Sequence, residues 1–162
     1  FVAPTLGSQG STGPMKCIAP LDDKLIIFKE NAFQKQIALT KHSAKNLQAY
    51  GDEYQIRTVL INLVNNALKF TPRHGKIIID SNIEGQFITL KIMDSGIGME
   101  KDELMQIFNN PIIKSGTAGE TGTGFGLFLC KELIEKNGGK IEIESIIGKG
   151  TTINLFLPLM VN

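Results

Sequence analysis

Tryptophan is absent from these 162 residues, and cysteine, histidine and tyrosine occur only twice each. Two cysteines, Cys17 and Cys130, with no CxxC pair make no disulfide framework. With His42 and His74 far apart in the chain, a zinc site is disfavoured as well. Charge of one sign is also missing. A formal net charge of +1 creates no long-range field to recruit nucleic acid or an anionic bilayer. No run approaches the ~18 apolar residues of a membrane-spanning helix, and no signal-peptide pattern opens the chain. These absences predict a reduced, cytoplasmic setting, with neither nucleic acid nor membrane as a direct partner.

What is present is ordinary in amount. Hydrophobic content of 42% and charged content of 20% predict one globular domain with a real core. Residues 1–20 are rich in Gly, Ser, Thr and Pro without a period. Residues 1–14 are therefore read as a linker or expression remnant, and 15–162 as the domain. Residues 22–35 read as helical, with Leu25, Phe28 and Ala32 on one face, and 37–42 as a strand. Residues 53–70 form a strong amphipathic helix. Strands are expected at 76–83 and 87–94 around Glu84-Gly85-Gln86, and at 140–145 and 151–158 around Gly148-Lys149-Gly150. Shorter helices fit 100–107 and 125–137, the latter stopped by Gly138-Gly139. Residues 108–121 lack a period and form a long loop, of a length usual for lids and binding loops. The sum is an α+β sandwich: a mixed, mostly antiparallel sheet of about five strands with about three helices on one face.

Three stretches carry chemistry. "TGTGFGL" puts Gly122, Gly124 and Gly126 on alternate positions before a helix. No lysine follows Gly126, so a Walker loop fails, and the GxGxG spacing after a loop fails the dinucleotide fingerprint. The physical content remains: small residues bring backbone N–H groups close to an anion at the positive end of a helix. A flexible loop end explains these glycines equally well when they are taken alone.

In the helix at 53–70, Val59, Leu60, Leu63, Val64 and Ala67 share a core face at about 100° per residue. Asn62, Asn66 and Lys69 follow one edge of that stripe, while Asn65 points to solvent. Asparagine is a mediocre helix former, so three at 62, 65 and 66 call for a reason. Carboxamide oxygens beside an ammonium suit a hydrated Mg²⁺ and phosphate oxygens. Finally, "MDSGIGM" ends an apolar strand on Asp94, with Gly96 and Gly98 behind it. A rim carboxylate can accept from an exocyclic amine such as adenine's. Taken alone, the same letters make a common Asp-Ser-Gly turn.

In this order and spacing the three stretches resemble the ATP-binding domain of bacterial sensor histidine kinases. That family lies within the larger group containing gyrase, a heat-shock chaperone and MutL, and has the Bergerat-type fold. "NLVNNALKFT" resembles its N box, "DSGIG" its G1 box, "IF" at 107–108 its F box, "GTGFGL" its G2 box and "GKGTT" its G3 segment. The resemblance runs from about residue 22 to 158. It implies that ATP and Mg²⁺ are the cofactors. Asn66 would coordinate Mg²⁺ with Asn62 beside it, Lys69 would contact phosphate, and Phe70 would line the wall. Asp94 would bind the adenine amine over a floor of Gly96, Ile97 and Gly98, with Thr151 supporting that contact through water. Gly122, Thr123, Gly124, Phe125, Gly126 and Leu127 would wrap the phosphates. Residues 108–121 would be the ATP lid, and Lys114 the lid residue reaching the γ-phosphate.

Departures from the pattern carry information too. Gyrase-like members place a glutamate where Asn62 stands, and an amide has no useful basicity near neutral pH. That favours phosphoryl transfer to a protein acceptor over hydrolysis, because transfer needs mainly positioning and charge neutralisation. The family's own acceptor histidine sits in a helix before an acid. Neither His42 nor His74 fits, and both read as surface residues. The chain is thus expected to be a monomeric catalytic half that does not label itself. Its partners would be a dimerisation and phosphoacceptor domain and a response regulator. The competing expectation is a nucleotide-sensing module without transfer. Cys130 reads as a small buried hydrophobe, and Lys131, Glu132, Glu135 and Lys136 as a solvated face.

Overall fold

The computed structural model describes residues 25–43 and 47–160. The expected linker at 1–14, the first residues assigned to the domain and Cys17 lie outside them. The element order is α1 (Leu25–Gln34), β1 (Ala38–Ser43), α2 (Glu53–Phe70), β2 (Lys76–Glu84), β3 (Phe87–Asp94), α3 (Lys101–Gln106), α4 (Gly126–Lys136), β4 (Lys140–Ile146) and β5 (Gly150–Pro158). The strands form one sheet in the order β1-β2-β3-β5-β4. Only β1 and β2 run parallel; the other neighbours are antiparallel. This is the mixed sheet that the two hairpins predict.

Strand alternation decides which face is covered. Ile79 pairs with Ile92, which pairs with Ile153, and Leu90 pairs with Leu155. Cross-strand partners share a face, and these are buried in one core with the helices. Phe28 and Ala32 enter it from α1, and Cys130 and Ile134 from α4. The α2 helix contributes Ile56, Val59, Leu60, Leu63, Val64, Ala67 and Leu68, the stripe read from its period. The short α3 buries nothing, so three helices make the second layer as expected.

Local chemistry sets the ends of α2. Its N-cap is Asp52, whose carboxylate accepts from the Gln55 N–H at 3.0 Å. It stops at Thr71, the residue before Pro72, where helical geometry is disfavoured. Asn137, at the end of α4, ties the two helices together. Its Oδ1 accepts from the Asp52 N–H at 2.7 Å, and its Nδ2 donates to Gln55 Oε1 at 2.9 Å and Leu133 O at 2.7 Å. The irregular stretch runs through residue 125 rather than 121, because α4 begins only at Gly126.

Candidate nucleotide-binding site

A cleft of about 240 Å³ opens beside the edge of α2, between the end of β3, the start of β5 and the 107–125 loop. From α2 it takes Asn62, Asn66, Ala67, Lys69 and Phe70. Asn65 is exposed and stays outside, as its place on the helix requires. Among the described residues, the Asn62 and Asn66 side chains have no hydrogen-bond partner. Their carboxamide oxygens are hard donors and fit a hydrated divalent cation. No three His, Cys, Asp or Glu converge among the described residues, so a cation here would depend on these amides and its ligand's own oxygens. The Lys69 ammonium lies 4.8 Å from the Phe70 ring centroid.

Asp94 closes the far end. As the last residue of β3 it pairs with Ile77 and Thr151, which puts its side chain on the helix-covered face. Its Oδ1 accepts from the Gly96 N–H at 2.8 Å and the Thr151 N–H at 3.2 Å. No donor among the described residues reaches Oδ2. Burial pushes the carboxyl above its usual range, and the two N–H bonds oppose that rise. Thr151 therefore supports Asp94 directly through its backbone. Its hydroxyl is engaged by Ser145 Oγ at 2.8 Å, an arrangement the sequence did not disclose.

The turn behind Asp94 is held from both sides. The Ile97 N–H donates to Phe70 O at 3.1 Å, and Ile97 O accepts from the Gly148 N–H at 2.8 Å. Met99 N–H donates to Ser145 Oγ at 3.0 Å. Ile97, Gly98 and Met99 line the cleft, whereas Gly96 does not. Gly96 is buried beneath it, where a Cβ would come within 2.5 Å of Phe70 O. At Gly98 a side chain is doubly excluded: φ is +67°, and a Cβ would strike the Ile146 carbonyl.

Gly122, Thr123, Gly124, Gly126 and Leu127 also line the cleft, with Gly126 beside the Asn62 amide and Gly122 beside the Lys69 ammonium. Gly124 has φ +80° and its missing Cβ is replaced by the backbone of Ile112, so the arc packs on the loop's own first half. Phe125 departs from the expected wrapping: it is 55% exposed and outside the lining. It is the N-cap residue of α4 and offers no side-chain cap. The first N–H groups of α4 are thus left to a ligand.

Lys114 lines the cleft, but its ammonium is held by Glu103 at 2.9 and 3.1 Å. Glu103 was not legible in the sequence, since nothing local pairs an α3 acid with a loop lysine. Met99, Ile107, Ile112 and Ile153 also line the cleft. Ile153 follows from strand alternation two residues after Thr151 and Met99 from its place beside Gly98; Ile107 and Ile112 depend on how the loop folds back. Elsewhere the quiet readings hold. Cys130 is buried, its thiol pushed up to about 12 by desolvation. His42 and His74 are exposed.

Residues 51–161 match the family model of the histidine kinase-, DNA gyrase B- and HSP90-like ATPases. The chain is 35% identical over 136 residues to an uncharacterized sensor-like histidine kinase of Rhizobium meliloti (strain 1021), covering 82% of this chain and 26% of that protein. It is 35% identical over 144 residues to sensor protein SrrB of Staphylococcus aureus (strain NCTC 8325 / PS 47), covering 87% and 25%. It therefore spans about a quarter of the length of these curated relatives. The catalytic domain of histidine kinase ThkA, in a nucleotide-free form, superposes with a TM-score of 0.77 at 27% identity, over 90% of this chain and 96% of that one. ThkA has also been solved in complex with the response regulator TrrA; that likeness, at 24% identity, speaks to the fold alone. Four of the five strands, α2 and the glycine loop that border the cleft lie within the matched residues, with α1 and β1 before them, and the chain belongs to the histidine kinase-, DNA gyrase B- and HSP90-like ATPase family.

Proposed function

We propose that the chain is the ATP-binding catalytic domain of a sensor histidine kinase and transfers the γ-phosphoryl of Mg-ATP to a histidine on a separate acceptor domain. The observation that carries this reading is convergence. Asp94 with an open oxygen, the Asn62–Asn66 amides and the Gly122–Leu127 arc border one cleft. Asp94 accepts the adenine amine while Ile97, Gly98 and Met99 support the ring. Backbone N–H groups at the start of α4 and the Lys69 ammonium receive phosphate oxygens. Asn62 and Asn66 would hold Mg²⁺, which supplies neutralisation of phosphate charge when bound. Asn62 offers no base, so the site positions ATP without activating water. Lys114 reaches the γ-phosphate only after leaving Glu103. The acceptor domain and a response regulator are the partners of this reading, and the cytoplasm is its compartment.

The test is transfer in trans. Labelled ATP, Mg²⁺ and a separately produced acceptor domain from a related kinase are incubated with the chain. Acid-labile, base-stable label on the acceptor histidine is expected, and it should vanish with Asn66→Ala. Tight ATP binding without any labelled acceptor would replace this reading with a nucleotide-sensing module.

A further inference from the structure

The last carbonyls of a helix have no partner within it. In α2 those of Leu68 and Lys69 are met by an ammonium from the residue that follows α1. Lys35 Nζ donates to Leu68 O at 2.7 Å and Lys69 O at 3.0 Å. Its third donor goes to Glu120 Oε1 at 2.7 Å, which uses all three of its hydrogens. The Lys35 side chain is 13% exposed and that of Glu120 36%, so the ammonium is sheltered while the carboxylate still meets solvent.

Glu120 is itself the anchor of a small turn. Its Oε2 accepts from the Ala118 N–H at 2.8 Å, and its main-chain oxygen accepts from the Gly116 N–H at 2.8 Å. The same turn is fastened to α2 again by Thr117. The Thr117 N–H donates to Lys69 O at 3.0 Å, and its hydroxyl reaches Thr71 O at 3.0 Å. Two residues further along stands Gly122, where an added Cβ would come within 2.8 Å of Lys69 Nζ. The fastened turn therefore sets how far the glycine arc lies from the Lys69 ammonium.

We propose that Lys35 and Glu120 are positioning residues: a two-part latch that fixes the second half of the 107–125 loop on the end of α2 and holds the arc at phosphate-binding distance. The latch rests on the nucleotide-binding reading for its purpose, but not for its existence. The first half of the loop is held differently, through Lys114 on Glu103. A ligand that draws the Lys114 side chain off Glu103 leaves the contacts of Lys35 and Thr117 with the end of α2 untouched.

A double-mutant cycle on the full chain separates this from a merely structural role. Glu120→Gln keeps Lys35 as the cap of α2 but leaves one oxygen where two accept, so it removes the charge pairing together with one of the bonds from Lys35 and the Ala118 N–H. It is expected to speed amide exchange at Gly116, Thr117 and Ala118 and to weaken Mg-ATP binding by roughly five- to thirtyfold, with the melting temperature nearly unchanged. Lys35→Met should do the same, the double variant should be less than additive, and Lys35→Arg should restore most of the affinity. Should Lys35→Met fail to fold, Glu120→Gln carries the test. Unchanged exchange and affinity in Glu120→Gln, or strict additivity of the two changes, overturns the latch. If the unaltered chain binds no adenine nucleotide, the function fails instead, and faster exchange in Glu120→Gln still supports the latch.

Discussion

Asp94 illustrates what a single residue contributes. Its own letters read equally well as a common Asp-Ser-Gly turn, and it gained a role only from the order and spacing of three stretches together. Desolvation raises its folded pKa above 3.8, so the folded chain binds a proton more readily than the unfolded one. Stability therefore falls as pH rises through that window, and the cost is present at neutral pH. Asp94→Asn removes it while keeping an oxygen for Gly96 and Thr151. Chemical denaturation at pH 7 should show no loss of stability. ATP affinity should fall by about 1.5–3 kcal/mol, the range for a hydrogen bond to a charged group. In the unaltered chain the affinity should decline on acidification earlier than an ordinary aspartate would dictate. Cys130, by contrast, should resist alkylation at pH 8 until denaturant is added, read at the level of its own peptide, because its thiol is buried and pushed up to about 12. Glu103 and Lys35 were invisible at this scale. Their roles come from partners 11 and 85 residues away, which no local pattern encodes.

Elements with a strong period were read well. The α2 stripe and all five strands follow from side-chain alternation, and the two hairpin turns from their glycines. The 107–125 loop was readable only as irregular. Its path depends on bonds to the end of α2 and on Gly124 packing against Ile112, both tertiary. Asn137 belongs to the same class, since it joins the start of α2 to the end of α4. Asn137→Ala removes the tie between the two helices and should cost roughly 0.5–1.5 kcal/mol, the net worth of a hydrogen bond whose partner water can replace. Urea unfolding should show a lower midpoint with an unchanged slope. Gly98→Ala should be more severe for function than for fold. The added carbon meets the backbone of Ile146, so the ring-supporting turn must move, and ATP affinity should fall by more than tenfold, roughly the ratio for 1.4 kcal/mol.

At the scale of the molecule, one sheet, one helical layer and one cleft at their edge account for what the chain can do. Among the described residues no helix is long and apolar enough to cross a membrane. The carboxylates that line the cleft are Asp94, on the Gly96 and Thr151 N–H groups, and Glu103, on Lys114, and the two histidines stand exposed on the surface. What distinguishes this arrangement from a generic α+β sandwich is that an amide pair, a rim carboxylate and a glycine arc meet around one space. Calorimetric titration of Mg-ATP into the chain, run in parallel on Asn66→Ala and Asp94→Asn, decides whether that space is what it is taken to be. Single-site binding to the unaltered chain, weakened in Asp94→Asn and dependent on Mg²⁺ only while Asn66 is present, is the expected outcome. Absence of binding, or equal affinity in all three proteins, would contradict it.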